Sequence, residues 1–170
     1  MPHEFDPDAL HAAEADIRRR LADQPVDIEV QRATSNLYRA ASVVSRRAER
    51  EMLGDLGLSW SAFVSLWVLW VWGEMDATRL ANEVGLTPGT VTGVRKGLEK
   101  QGLVETRRAE DDARRVLVRL TDRGDATLND FYPRFNAWIR DLFGDLTPEA
   151  TTQLADLLER VILRPGPDLS

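Results

Sequence analysis

Cysteine is absent from this sequence of 170 residues, and histidine occurs only twice, at His3 and His11. Without thiols the chain has no disulfide, no thiolate metal site and no cysteine-based redox switch. A catalytic triad or a zinc site needs several converging imidazoles or thiolates, which two N-terminal histidines do not supply. The sequence therefore predicts a protein that is not an enzyme and that carries no metal or cofactor.

Long hydrophobic runs are lacking as well. The most apolar stretch, residues 62–72, includes Ser65 and is only 11 residues long, whereas a membrane-spanning helix needs about 20 apolar residues. The N-terminal sequence MPHEFDPDAL is acidic where a signal peptide is basic. The 43% hydrophobic and 29% charged residues are typical of a globular protein. We expect it to be soluble and intracellular, with no membrane partner.

Charge of one sign dominates the chain but not every part of it. The net charge of −6 argues at first against a nucleic-acid partner. Residues 1–30 carry a net −5, residues 31–86 carry 0, residues 87–121 carry +3 and residues 122–170 carry −4. The basic window fits either a chance excess of arginine on a solvated surface or a surface that binds nucleic acid.

Helical periodicity is present at both ends of the chain. The 3–4 spacing of apolar residues predicts a short helix over 8–22 and a long one over 30–52 that ends near Gly54. A third helix is expected to begin at Ser59 or Ser61 and to end at Gly73. Two further helices are expected near the C-terminus, one capped by Thr121 that runs to Leu142, and one that Thr147 and Pro148 begin and Pro165 ends.

Two short helices and a hairpin are predicted between these long helices. Asp76 caps the first short helix and Gly85 ends it, while Thr87 caps the second, with Pro88 at its first position. The period then changes to 2 over residues 103–108 and 114–120, joined by a turn at 109–113. Apolar residues are expected to pack the two short helices together: Leu80, Ala81 and Val84 against Val91, Val94 and Leu98.

This order predicts a mainly α fold with a small β-hairpin wing. It is a winged helix-turn-helix with long helices on either side. The second short helix has the size that fits the DNA major groove, and the hairpin reaches the neighbouring minor groove or backbone. The outward face of that helix carries polar and basic side chains: Thr90, Thr92, Arg95, Lys96 and Lys100.

At this point the sequence resembles the multiple-antibiotic-resistance regulator (MarR) family of bacterial transcription factors. The resemblance covers roughly residues 30–163 and is carried by LANEVGLTPGTVTGVRKGLEKQGLVETR at 80–107 and DARRVLVRLTDRG at 112–124. It implies that Asp112 pairs with a nearby arginine to hold the wing loop and that Arg114 touches DNA. The residues expected to contact DNA are Thr87, Gly89, Thr90, Thr92, Arg95, Lys96, Arg107, Arg114 and Arg115.

The chain departs from the family pattern on the second short helix. The family has an arginine near position 93 and an apolar residue at 95, where this chain has Gly93 and Arg95. Gly89, Gly93 and Gly97 recur every four residues and share one face. Each interior glycine destabilises a helix by roughly 0.5–1 kcal/mol relative to alanine. Two interpretations stay open, close approach of the backbone to DNA and a tight helix crossing inside the protein.

The outer helices resemble the dimerisation helices of the family. We expect residues 30–58 and 122–165 to form this scaffold, residues 59–121 to form the winged helix-turn-helix, and residues 1–29 to be an N-terminal extension of one integrated domain. The alternative is that the outer helices cover each other within one chain. The helix at 8–22 either adds to the dimer interface or forms a mobile acidic arm.

Tryptophan is concentrated in the third helix. Trp60, Phe63, Trp67 and Trp70 follow a 3-4-3 spacing on one helical face, which is the usual sign of core packing. In the resembled family this helix lines a cavity for aromatic or phenolic effectors, which makes the same four residues candidate ligand contacts. Arg39 or Arg46 is then the expected partner of an effector carboxylate.

Taken together, these features predict a homodimeric repressor that binds a palindromic site on double-stranded DNA and is released by a small aromatic molecule. Such a protein works in the bacterial cytoplasm and lies on the nucleoid when it is bound to DNA. The alternative is a winged helix that makes protein–protein contacts and has no affinity for DNA.

Overall fold

The computed structural model describes residues 7–112 and 114–164, which form two compact units that divide between Trp60 and Ser61. His3, the turn residue Ala113 and the predicted helix stop at Pro165 lie outside the described residues. The predicted helices and hairpin are present, and one short strand is added to them.

The first unit consists of two helices and a short irregular segment. Helix α1 spans Pro7–Arg20 and α2 spans Ile28–Ala48, where the carboxylate of Asp27 accepts hydrogen bonds from the backbone N–H groups of Glu29 and Val30. A π-helical turn at Glu49–Leu53 and a 3-10 turn at Gly54–Leu56 follow α2. The predicted long helix therefore ends in two irregular turns at the expected place.

Polar side chains join α1 to α2. The amide of Asn36 donates to Glu14 at 2.9 Å, and Arg18 forms an ion pair with Glu29 at 3.2 Å. The α1 partners advance along the chain while the α2 partners recede, so the two helices run antiparallel.

The second unit has an aromatic core. Helix α3 spans Trp60–Trp72 and α6 spans Asp122–Leu142. The ring of Phe63 lies 4.4 Å from that of Phe135 and 5.6 Å from that of Phe131, centroid to centroid. All three phenylalanines are buried, as are Leu66 and Leu128.

The helix-turn-helix lies between these two helices in the sequence. Helix α4 spans Ala77–Glu83 and α5 spans Pro88–Lys100. The predicted caps are confirmed, because Asp76 accepts a hydrogen bond from the N–H of Arg79 and Thr87 accepts one from the N–H of Thr90. The expected apolar contact residues lie inward: Leu80, Ala81, Val91 and Leu98 are buried, and Val84 and Val94 are half-buried.

A three-stranded antiparallel sheet forms the wing. Strand β1 is Met75–Asp76, β2 is Val104–Arg108 and β3 is Val116–Leu120, in the order β1-β3-β2. The hairpin is confirmed, while β1 was not predicted because two residues show no periodicity. Gly73, with φ +75°, directs the chain from α3 into β1, a conformation that glycine adopts without strain.

The last helix leaves an apolar face uncovered. Helix α7 spans Pro148–Ile162, begins at the predicted cap Thr147 and has no buried residue. Five large apolar residues at its C-terminal end are between 37% and 79% exposed: Leu154, Leu157, Val161, Ile162 and Leu163.

In the part of the chain that the structure describes, no single helix is both long and apolar enough to cross a membrane. Residues 28–56 and 60–72 meet the criteria of length and composition only as a bent pair.

Candidate nucleic-acid interface

The N-terminal turn of α5 presents small polar side chains. Thr87, Gly89, Thr90 and Thr92 are all exposed. The Thr87 and Thr90 hydroxyls lie 2.9 Å apart, and the Thr92 hydroxyl donates to the carbonyl of Pro88 at 2.9 Å. The threonine hydroxyls thus already have partners within the helix, and each keeps a lone pair that can accept a hydrogen bond.

The glycine face of α5 is open. A Cβ atom built on Gly93 or Gly97 meets nothing within 4 Å, and one on Gly89 meets only the Thr87 hydroxyl, at 4.0 Å. The interpretation of these glycines as a tight helix crossing therefore finds no support in the described residues. The face is free for close approach by another molecule.

Arg95 lies at the inner edge of α5 and does not belong to the open face. Its side chain is 16% exposed, and one of its guanidinium nitrogens is 2.8 Å from the carboxylate of Glu99. The same carboxylate oxygen accepts a hydrogen bond from the hydroxyl of Thr106 on β2, at 2.6 Å. Neither Glu99 nor Thr106 was predicted from the sequence. The i,i+4 spacing from Arg95 could have indicated Glu99, whereas the contact with Thr106 depends on how β2 folds back on α5.

Lys96 and Lys100 are the cations that α5 exposes. Within the described residues neither has a carboxylate within 4 Å, whereas Arg95 on the same helix does. Their spacing of four residues places them on one side of the helix, next to Thr92. This side of α5 therefore carries two positive charges that no described carboxylate neutralises.

The wing turn is organised by two adjacent aspartates. Asp112 accepts a hydrogen bond from the backbone N–H of Arg114 at 2.9 Å and so shapes the turn. The arginine pairing expected of Asp112 is instead made by Asp111, whose carboxylate lies 2.9 Å from Arg115. Arg115 also lies 3.5 Å from Asp76, the cap of α4. Arg114 is exposed and has no carboxylate partner among the described residues.

The solvent-facing side of the wing sheet carries paired charges. Met75, Val104 and Val118 face inward, so the residues that alternate with them face outward. On that side Arg107 forms two hydrogen bonds with Glu74, at 2.6 and 3.0 Å, and Arg119 pairs with Glu105 at 2.6 Å. Arg107, expected to contact DNA, is thus already held by a carboxylate.

Two carboxyl groups of this surface have lowered pKa values. The hydrogen bond from Arg107 lowers the pKa of Glu74, although partial burial opposes it. The backbone N–H of Arg79 lowers the pKa of Asp76, and the charge of Arg115 adds to the effect. Both groups are therefore ionised at neutral pH, so Glu74 neutralises Arg107 and Asp76 attracts Arg115.

The tryptophan stripe on α3 is divided between core and surface. Phe63 is buried, while Trp60, Trp67 and Trp70 are half-buried. The ring of Trp67 lies 6.0 Å from that of Trp72, and the ring of Trp70 lies 5.1 Å from that of Tyr132. The core interpretation holds for Phe63, whereas the other three rings keep accessible surface.

Two arginines of the first unit were predicted to bind an effector carboxylate. Arg39 on α2 is half-buried and donates to the side-chain oxygen of Asn36 at 3.3 Å. Arg46 is exposed. Neither has a carboxylate within 4 Å among the described residues, and their role stays a prediction.

A helix-turn-helix with an antiparallel wing is a winged helix, and exposed cations on its second helix are typical of the winged helices of transcriptional regulators. A model of the MarR family matches residues 58–116. The chain is 32% identical over 155 residues to the uncharacterized HTH-type transcriptional regulator YwaE of Bacillus subtilis, covering 89% of this chain and 91% of that protein. The chain belongs to the MarR family.

Solved structures agree with this assignment. Sco3205, a MarR family transcriptional regulator from Streptomyces coelicolor solved in complex with DNA, superposes with a TM-score of 0.74, at 25% identity over 85% of this chain and 94% of that one. BpsR of Bordetella bronchiseptica gives a TM-score of 0.68, at 25% identity over 76% and 98%. The expected fold is confirmed, and these relatives are regulators, as expected of a chain that is not an enzyme.

Proposed function

We propose that the chain binds a palindromic DNA operator as a homodimer and represses transcription until a small aromatic molecule releases it. The DNA-binding part rests on one observation. In the described residues of the window 87–121, Lys96, Lys100 and Arg114 are exposed cations without a carboxylate partner. They lie on the exposed side of α5 and on the wing turn, the two elements that a winged helix presents to a duplex.

The ion pairs of residues 87–121 support the choice of these three cations. Arg95, Arg107, Arg115 and Arg119 are each paired with a carboxylate. Only cations that become partners of phosphates release counterions from DNA. Three such cations per protomer, or six per dimer, predict that log K falls with log salt at a slope of about −5, since each phosphate contributes about −0.9.

Homodimerisation is supported by apolar surface that each unit leaves exposed. On α2, Val30 is 61% and Leu37 is 43% exposed, and on α7 most large apolar residues are exposed. Large exposed apolar patches on a protein mark an interaction surface. A second copy is the occupant we propose, because two-fold symmetry would present two α5 helices to successive major grooves and explain a palindromic site. Residues 30–58 and 122–165 would then form the scaffold.

The release by an aromatic molecule is supported by the accessible rings of α3. Trp67, Trp70, Trp72 and Tyr132 offer partly exposed aromatic surface, and offset or edge contacts between such rings and a planar ligand are favourable. BpsR, which shares 25% of its residues with this chain, is regulated in its DNA binding by 6-hydroxynicotinic acid. A ligand that prefers the non-binding conformation lowers DNA affinity by its differential affinity alone.

Selection of bound fragments from the organism's genomic DNA tests the proposal. The expected results are recovery of fragments that share an inverted repeat and a titration in which log K falls with log salt at a slope of about −5. Failure of the protein to bind any duplex at 50 mM salt would favour the alternative of a protein–protein module. Tryptophan fluorescence with a panel of phenolic acids tests the effector, and an unchanged spectrum across the panel would contradict it.

A further inference from the structure

Glu99 binds two side chains that belong to different elements. Its carboxylate accepts from Arg95, four residues earlier on α5, and from the hydroxyl of Thr106 on β2. Arg95 lies between the buried residues Val91 and Leu98 along the helix, which places it on the flank that faces the sheet. Thr106 pairs with the buried Val118 of β3 and shares its side of the sheet. The contact therefore lies in the angle between the second helix of the helix-turn-helix and the wing.

A second arginine–glutamate pair shows what is unusual about this contact. Arg79 and Glu83 on α4 have the same i,i+4 spacing, but their closest atoms are 3.5 Å apart and their side chains are 57% and 35% exposed. The pair of Arg95 and Glu99 is closer, at 2.8 Å, and its side chains are only 16% and 29% exposed. In the described residues Glu83 has no side-chain partner besides Arg79, while Glu99 has both Arg95 and Thr106.

These differences give the two pairs different energetic weight. Exposed i,i+4 pairs contribute little because solvent screens them and their side chains lose entropy. A partly buried carboxylate with two donors forms stronger, charge-assisted hydrogen bonds. Removal of one member also leaves a partly desolvated charge without its partner. The contact thus restricts the angle between α5 and β2 in a way that the pair on α4 does not.

We propose that Glu99 and Arg95 are positioning residues that fix the angle between α5 and the wing, so that both reach the duplex together. Arg95 acts through Glu99 and Thr106 and does not contact DNA. This inference rests on the proposed DNA-binding function. It also explains the departure at position 95, since an arginine whose charge is neutralised by Glu99 fills a place on the inner flank of the helix.

Glu99→Ala distinguishes a positioning role of Arg95 from direct DNA contact, because the two roles predict opposite changes in operator affinity. If Arg95 were a DNA ligand that Glu99 restrains, removal of the carboxylate would raise affinity, because it frees a cation and removes a negative charge near phosphates. Positioning requires the opposite, a loss of about five- to twentyfold for the selected operator with an unchanged salt slope. Glu83→Ala is the matched control, since it removes the same charge from the pair on α4, and its affinity should stay within twofold.

Arg95→Met gives a second, independent measurement. Methionine keeps an unbranched apolar side chain and removes the charge, so the expected result is a similar loss with an unchanged salt slope. The double variant with Glu99→Ala should bind no worse than either single variant, because each removes the same contact. A salt slope that becomes less steep by about 2 in Arg95→Met, one phosphate per protomer, would instead make Arg95 a contact and overturn the inference.

Thr106→Val tests the same contact if the Glu99→Ala variant does not fold. Valine keeps the shape of threonine and suits a strand, and loss of the hydroxyl should lower operator affinity about two- to fivefold with the salt slope unchanged. Circular dichroism and thermal unfolding establish that each variant is folded. If the unmodified protein binds no duplex, both the proposed function and this inference fail. If it binds and Glu99→Ala behaves like Glu83→Ala, the inference alone is overturned.

Discussion

The guanidinium of Arg107 on β2 donates two hydrogen bonds to the carboxylate of Glu74, from Nε to Oε2 at 3.0 Å and from Nη2 to Oε1 at 2.6 Å. Because β3 lies between β1 and β2, this bidentate pair spans the width of the sheet. It joins the segment that leads out of α3 to the outermost strand of the wing. Two parallel N–H···O bonds fix orientation as well as distance.

The first prediction concerns pH. The pKa of Glu74 is lowered in the folded protein, so its ionised form stabilises the fold. This contribution is fully present above the ordinary glutamate pKa of about 4.3 and is lost as the pH falls from there through the lower folded-state value. Glu74→Gln should therefore flatten the acid side of the curve of unfolding free energy against pH. Urea unfolding between pH 3 and 7 measures it, and an identical acid limb in both proteins would contradict the role of this pair.

The second prediction concerns the wing turn. Arg114→Ala should weaken operator binding by about 1–3 kcal/mol without unfolding the protein, because this exposed side chain has no partner in the described residues to lose. Titration by fluorescence anisotropy at several salt concentrations is the measurement. Arg79→Ala, an exposed arginine on α4, is the comparison. Unchanged affinity in Arg114→Ala would remove the wing from the interface.

The third prediction concerns Gly124 in the first turn of α6. A Cβ atom at this position would overlap the carbonyl oxygen of Leu103 and lie 3.4 Å from its Cα, so the clash is with backbone. Gly124→Ala should destabilise the protein by about 3 kcal/mol or more. For a chain of this size that lowers Tm by roughly 6–12 °C, which differential scanning calorimetry detects. A variant as stable as the original would show that α6 can shift away from Leu103.

The fourth prediction separates stability from binding at Gly93. Open space surrounds this position, so Gly93→Ala should stabilise the protein by about 0.5–1 kcal/mol. If the backbone approaches DNA closely there, the same methyl group should lower operator affinity about tenfold or more. Gly97→Ala, one turn farther from the N-terminal end that lies nearest the bases, should give the same stabilisation and a smaller loss. Equal affinity in all three proteins would contradict close approach at Gly93.

The fifth prediction concerns the apolar face of α7. Leu157 and Val161 lie one turn apart and are 49% and 64% exposed. Glutamate at both positions should convert the proposed homodimer to a monomer in sedimentation velocity and lower operator affinity at least a hundredfold, because one bound half-site no longer holds the other. Thr152→Glu, on the opposite side of the helix, is the control. A double variant that stays dimeric would place the interface elsewhere.

The helix boundaries were predictable because local chemistry sets them. Asp76, Thr87, Thr121 and Thr147 each cap the helix expected of them, since a short side-chain oxygen three residues before an open N–H determines the start of a helix. Strand β1 was not predictable, because Met75 and Asp76 are a strand only through their pairing with β3.

The sequence predicts how many basic residues the site has, but not which of them are paired with a carboxylate. Arg95, Arg107 and Arg115 were all predicted to contact DNA, and in the structure each is paired with a carboxylate. Their partners Glu99, Glu74 and Asp111 lie between 4 and 33 residues away in the sequence, and the longest separation follows only from the order of the strands. Gly124 is the last residue of the segment 112–124 that resembles the family. The structure explains why it is glycine, because the backbone of Leu103 leaves no room for a side chain.

Gly73, with its positive φ, is where the chain passes from α3 into the winged helix-turn-helix. Past this residue the chain enters β1. The last residue of β1 caps α4, and β1 pairs with β3, so this short strand connects α4 to the hairpin of the wing. Helix α5, with 13 residues, is about 20 Å long. A rotation of about 10° about one end moves the other by about 3.5 Å, close to the rise of one base pair. A tilt of α5 by this small angle is thus comparable in size to one nucleotide step along a duplex.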